Sequence, residues 1–282
     1  MTISQCDRRR TTVPDTMTSS LSEFFPPSPR VFYAEAPLAQ VVCQLRFPQI
    51  LRIDSQPPAE FQERIRGLYP LLERAQVQLP IDIPQEMAHL IGMTGAAGAF
   101  AFKTEDRLTT LSLASDSLSL ATTQYRRWEN FSTLLMPAID ALIDIYRPSF
   151  FQRVGLRYVN MIDRERLGLA KKSWSKLLRR EVVGELYLAE MEKSAVEFAR
   201  NIRLNGHDGF ALFFQHGLAR RRVLNAPPQP ASYRLDFDFY REGKTEADHV
   251  KPTIDILNSI VGRAFRWTIS DVLHNALKPT PI

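Results

Sequence analysis

The chain has 282 residues, 44% hydrophobic and 24% charged, with a formal net charge of +5. That composition is soluble and globular, fits one large domain or two small ones, and contains no apolar run of the roughly 18 residues that span a bilayer. The charge is too modest for a polycationic nucleic-acid-binding tail, and two cysteines, Cys6 and Cys43, are too few for a disulfide framework.

Residues 1–30 are rich in Ser, Thr, Pro and Arg and show no hydrophobic periodicity, which predicts a disordered tail with order beginning near Val31. The same N-terminus lacks the apolar stretch of a signal peptide, so a cytoplasmic protein is expected. From Leu38 to Phe47 the residues alternate, with Val41, Cys43, Leu45 and Phe47 on one face, as in a strand that Pro48 ends. Phe61, Ile65, Leu68 and Leu72 then recur at helical spacing after Pro57 and Pro58, and Pro70 is expected to kink or end that helix. Residues 76–97 give weak signals.

AFAFKTED, RLTTLSLASD and SLSLATTQYRRW read as a meander of three strands. WENFSTLLMPAIDALIDIYRP follows as an amphipathic helix with an apolar stripe through Phe131, Leu135, Ala138 and Leu142, kinked at Pro137 and stopped by Pro148. FFQRVGLRYVNMID (150–163) is the next strand. Beyond it a helix is expected over SWSKLLRREVVGELYLAEM, then strands at VEFARNIRL, GFALFFQHGLARRRV and ASYRLDFDFYREG. A last helix runs from His249 to Leu277, interrupted near Gly262 to Phe265.

The order strand, helix, antiparallel strands, long helix thus occurs twice. Leu45-Arg46-Phe47 and Leu156-Arg157-Tyr158 match at an offset of 111 residues. The expected fold is α+β: tandem duplicated units of antiparallel sheet, at residues 31–148 and 149–282, with long amphipathic helices on one face. Packed as one body, the units form a saddle-like or two-lobed structure with a polar, open opposite face.

The candidate site residues lie on these strands. Arg153 and Arg157 share a face of the 150–163 strand and stand about 13 Å apart, too far to grip one small anion between them. Asp236 and Asp238 share the polar face of SYRLDFDFY, so cross-strand ion pairs are one reading. An anion site on Arg153 and Arg157, with Asn160 beside them, or a metal site on the two aspartates, is the other. Asp-x-Asp alone is weak metal evidence, since Mg²⁺ mostly binds beside substrate phosphates, and no glycine-rich phosphate loop is present. Arg126 and Arg127, between Tyr125 and Trp128, form a basic and aromatic run that could meet single strands or stay solvated.

Other basic groups (Arg8 to Arg10, Lys171 and Lys172, Arg179 and Arg180, Arg220 to Arg222) read as solvated faces or phosphate contacts. His207 and Asp208 sit in the turn sequence NGHDG, and the five histidines fall in no zinc-binding pattern. No nucleophile elbow and no Cys with a His partner appear. No cofactor, metal or catalytic residue is predicted.

PLAQVVCQLRF (37–47), WENF (128–131), RVGLRYVN (153–160), LDFDF (235–239) and AFRWTISDVL (264–273) occur in that order. Through them residues 36–275 resemble an uncharacterised, sporadically distributed bacterial protein family that has no functional name. The resemblance implies no activity, catalytic set or cofactor. Its sporadic distribution implies mobile genes, such as defence or toxin-neutralising systems. The expected function is a non-enzymatic module that recognises a protein partner through its sheet face or edges. The alternatives are nucleic-acid or nucleotide binding through the strand arginines, and an enzyme with an Arg/Asp-lined pocket. The oligomeric state is left open.

Overall fold

The computed structural model describes residues 20–74, 99–206, 208–219 and 232–282. The expectations for residues 1–19, the weak segment at 76–97, His207 and the basic group at 220–222 lie outside the described residues. The fold is mixed α+β. Among the described residues its centre is a nine-stranded sheet, antiparallel throughout, in the order β3-β4-β5-β6-β2-β7-β10-β9-β8. These strands are β2 (Leu38–Arg46), β3 (Leu71–Arg74), β4 (Phe100–Lys103), β5 (Thr109–Ala114), β6 (Ser117–Thr122), β7 (Phe151–Ile162), β8 (Ala199–Asn205), β9 (Phe210–Ala219) and β10 (Ser232–Thr245).

Period-2 patterning sets which face is buried. Val41, Cys43 and Leu45 on β2, Val154 and Leu156 on β7, and Leu235, Phe237 and Phe239 on β10 are all at most 1% exposed. Two long helices add their stripes to the same continuous core: α4 (Trp128–Tyr146), through Leu135, Ala138 and Leu142, and α8 (Ala247–Thr268), through Ile254, Leu257 and Val261. Pro137 lies inside α4, and the helix runs on past it to Tyr146. It ends at Arg147, in the left-handed conformation at φ 48°, just before Pro148. The pair β2–β7 joins strands from the two expected units into one sheet.

Order begins before Val31. Leu21–Phe24 forms a short helix, α1, and Leu21 and Phe25 are buried. The Phe25 ring packs 5.7 Å from Trp267 and 6.0 Å from Phe239. Burying one such ring contributes about 2 kcal/mol. A Ser- and Pro-rich composition describes the average of this segment and hides the two residues that anchor it. Val31–Tyr33 (β1) then pairs with Pro279–Pro281 (β11) in a separate two-stranded sheet, tying the ends of the described chain together.

Three helix expectations are corrected. The helix expected after Pro57 and Pro58 is present as α3 (Ala59–Ile65) but ends well before Leu72, and an additional short helix, α2 (Leu51–Ser55), precedes the prolines. Residues after Pro70 form edge strand β3, because the proline stops the helix and Leu71 to Arg74 find β4 to pair with. The single helix expected at 173–191 is broken into α5 (Trp174–Leu177), α6 (Arg180–Val183), a 3-10 turn (Gly184–Tyr187) and α7 (Ala189–Ser194). Leu178 is pulled out to bridge Ile269, with Arg179 N–H donating to Thr268 O at 3.0 Å and Ser270 N–H to Leu177 O at 2.8 Å. Gly184, at φ +56°, makes the second break. The same bridge ends α8 at Thr268, so the interruption falls at Ile269 and Ser270, before α9 (Asp271–Ala276), and not at Gly262.

Candidate functional site

The sequence-predicted residues fall in two places. Arg153, Arg157, Asp236 and Asp238 lie on the sheet face opposite the core. Asn160, Arg126 and Arg127 line a cavity on the other side.

On the sheet face, register brings the charges together. Arg157 faces Asp238 on β10 and Val42 on β2, while Arg153 faces Glu242 and Arg46. Two arginines directly opposite repel. They diverge: Arg46 turns to Asp116 at 3.2 Å, and Arg153 runs along its own strand over Gly155. Its Nη2 donates to both Asp238 oxygens at 2.7 and 2.8 Å, its Nη1 to Gln44 Oε1 at 3.2 Å, and its guanidinium covers the Tyr240 ring at 4.7 Å. Gly155 leaves room for this path, since a Cβ would stand 2.2 Å from Arg153 Nη1 and force the guanidinium to shift.

Arg157 donates through Nε and Nη2 to the two oxygens of Asp236 at 2.7 and 2.6 Å, and Arg234 also bonds Asp236. Arg157 is 4% exposed and Asp236 1%. Burial pushes the Asp238 carboxyl up, and the Arg153 and Arg157 charges pull against it. Every predicted charge of this group thus has an opposite charge bonded to it. Arg153 also borders a shallow depression of about 420 Å³ with Arg46, Lys244 and Glu242.

The cavity holds about 530 Å³. Its floor is the core face of the sheet, at Tyr158, Asn160 and Phe237. One wall is the segment from Ser28 to Leu38, another is α8, and the start of α4 closes the mouth. The Tyr158 hydroxyl lies 3.2 Å from both Tyr125 Oη and Asn258 Oδ1, forming a polar chain across the floor. Burial holds both tyrosine hydroxyls above their ordinary range, so they remain protonated donors. Asn160 Nδ2 donates to Leu235 O at 3.3 Å.

At the mouth Arg127 stacks over Phe32 at 5.2 Å, and Trp128 packs on Phe131 at 6.0 Å. Arg126 is exposed, with no ion pair among the described residues. Arg30, Arg263 and Arg266 also line the space, against the single acid Asp255.

Sequence reasoning missed α8 as a wall. The available signal was Asn258, Gly262 and Arg266, which recur every four residues beside the apolar stripe. A purely packing helix has no need of that polar and small row. Among the described residues no three His, Cys, Asp or Glu side chains gather, and no helix is long and apolar enough to cross a membrane. No family model matches the chain, and no curated protein is similar to it.

Proposed function

We propose that the chain is a non-catalytic binding module that takes an extended segment of a protein partner as an added strand along β8. The observation that carries this is the state of that edge. β8 ends the sheet order among the described residues, and most of its residues are exposed. The closing bond from Gly206 N–H to Phe210 O, with the register to β9, directs Ile202 and Leu204 backbone groups inward. Asn201 and Arg203 therefore direct theirs outward. Among the described residues no further strand pairs with the outer side of this seven-residue edge, which makes it a template for β-addition. Arg203 on it favours an acidic segment, while Arg200 is held by Glu185 at 2.6 Å.

The neutralised sheet face supports the same reading. Arg157 with Asp236 and Arg153 with Asp238 have spent the charges that nucleic acid or a metal would use. A buried, unpaired Cys43 thiol fits a reducing, cytoplasmic setting.

The two halves are repeated units joined into a saddle-like sheet, in our reading. Outward from the central pair, one side runs β2, β6, β5, β4 and the other β7, β10, β9, β8, with edge strand β3 added beyond β4 on the first side alone. The offset of 111 residues makes Gly155 the counterpart of Gln44, and those two residues face each other in the ladder. A two-fold axis between equivalent strands requires such a pair. The resemblance to a sporadically distributed bacterial family stands as a proposal alongside.

The test is Arg203→Pro, which removes an outward N–H together with the Arg203 charge and leaves the inward bonds of the β9 ladder in place, with Arg203→Gln as the control that removes the charge alone. A partner captured from the native host by the unaltered chain is lost with the proline variant. In the complex, amide exchange slows at Asn201 and Arg203. Equal capture by the proline variant sinks the proposal.

A further inference from the structure

We propose that the 530 Å³ cavity is a binding site for a small organic anion with a flat apolar body. The site is separate from the β8 edge and does not depend on it.

Size comes first. Pockets that enclose small ligands run from about 300 to 1,000 Å³ and are mostly apolar, with a few convergent polar groups. This cavity has that make-up. Phe32, Tyr33, Phe237 and Phe265 supply flat apolar surface. The hydroxyls of Tyr125 and Tyr158 and the side chain of Asn258 supply a short polar row. Tyr158 has one proton for two neighbours at 3.2 Å, so the row can turn one donor or acceptor toward an occupant.

Charge selects the class. Five arginines line the cavity against one aspartate. Arg30 is held by Glu129 and Arg266 by Asp271, both in exposed pairs that water screens. Arg127 has an aromatic partner in Phe32 and no ion pair among the described residues. Arg126 stands exposed at the mouth. The first turn of α4, capped by no side chain at Arg127, adds its positive end on the same side. Together they favour an anionic head at the mouth, with the apolar body inserted toward Phe237. A neutral molecule of the same shape leaves the arginine field unused.

Gly262 gives a clean test. It lines the cavity from the middle of α8, and a Cβ built on it meets nothing within 4 Å. Gly262→Phe therefore adds a ring to the cavity lining with no clash at Cβ, and Gly262→Ala is the conservative control. The probes are 8-anilinonaphthalene-1-sulfonate and its uncharged analogue N-phenyl-1-naphthylamine, titrated by fluorescence into the intact chain. The sulfonate binds saturably. The uncharged probe binds about tenfold more weakly, a difference of about 1.4 kcal/mol. Gly262→Phe abolishes sulfonate binding at unchanged circular dichroism, Gly262→Ala keeps it, and Arg126→Glu weakens it severalfold. Equal affinity for the two probes, binding that survives Gly262→Phe, or no binding by the intact chain overturns the proposal.

Discussion

Arg157 stands opposite Asp238 in the ladder, yet its guanidinium closes on Asp236, two residues away on β10. The displacement is shared. Arg153, which faces Glu242, reaches past Gly155 to take Asp238. Each arginine leans toward the C-terminal end of β7 and leaves Glu242 in water, where an unpaired carboxylate costs little. The two buried carboxylates receive the guanidinium groups, because an uncompensated buried charge is the more expensive state.

Asp236→Ala leaves Arg157 buried without the carboxylate it bonds and is expected to destabilise the fold by about 4 kcal/mol. The triple variant Arg157→Met/Asp236→Leu/Arg234→Met removes the whole charge group, including the Arg234 that also bonds Asp236, and is expected to lie within about 1 kcal/mol of the parent, since replacing a buried ionic group by apolar side chains is often neutral. Urea unfolding of the parent, Asp236→Ala and the triple variant measures this. A triple variant that loses as much stability as Asp236→Ala contradicts it.

Gly155→Ala places a methyl group where the Arg153 guanidinium lies. The arginine end is flexible and can move, but moving it strips Asp238 of its two hydrogen bonds. A loss of about 1–2 kcal/mol is expected. In an Arg153→Met background the same Gly155→Ala change meets no guanidinium, and its penalty disappears. The coupling from this double-mutant cycle is the readout. Equal penalties in the two backgrounds would show that Gly155 is required by the backbone alone.

The aspartate pairs were legible because strand alternation assigns faces without knowledge of neighbours. Arg153, Arg157, Asp236 and Asp238 were bound to lie on polar faces, and any pairing of β7 with β10 brought them together. The displacement of each arginine from its opposite residue was not legible, since it depends on Arg46 arriving from the other side. The break at Leu178 was equally hidden: local periodicity favours one helix over 173–191, and only the bridge to Ile269 overrides it. The cavity draws on residues near 30, 126, 158 and 260, four segments that no window of sequence holds together. Arg126 and Arg127 were noticed for their aromatic neighbours, but nothing local placed them across from α8.

Phe25→Ala tests whether the segment before Val31 belongs to the folded body. Phe25 is 2% exposed, between Trp267 and Phe239. Truncation is expected to lower stability by about 3 kcal/mol, the range of buried Phe→Ala changes. It also exposes Trp267 and shifts its emission to the red. Phe24→Ala, at a half-exposed ring, serves as the comparison and is expected to lose less. Identical unfolding of Phe25→Ala and the parent would return this segment to the tail.

His216 couples the stability of the fold to pH on the acid side. It is buried on β9, stacked on Phe214 at 4.6 Å, with Nδ1 2.9 Å from Tyr233 Oη. Tyr233 donates its one proton to Val182 O at 3.2 Å, so His216 Nδ1–H donates to Tyr233, and Nε2 has no partner among the described residues. Burial, aided by the Arg200 charge, lowers the imidazole from 6.5 to about 4. The unfolded chain therefore binds the proton first as pH falls. The stability tied to neutral His216 is fully present above pH 6.5 and is lost progressively down to about pH 4. The whole loss is on the order of 3 kcal/mol. His216→Phe keeps the stack on Phe214, leaves Tyr233 its bond to Val182, and has no proton to take up. Urea unfolding at pH 7 and pH 4 is expected to show a drop about 3 kcal/mol smaller in the variant than in the parent. Carboxylates titrate equally in both chains and cancel in that comparison. An unchanged drop would mean that His216 is protonated in the folded state well above pH 4.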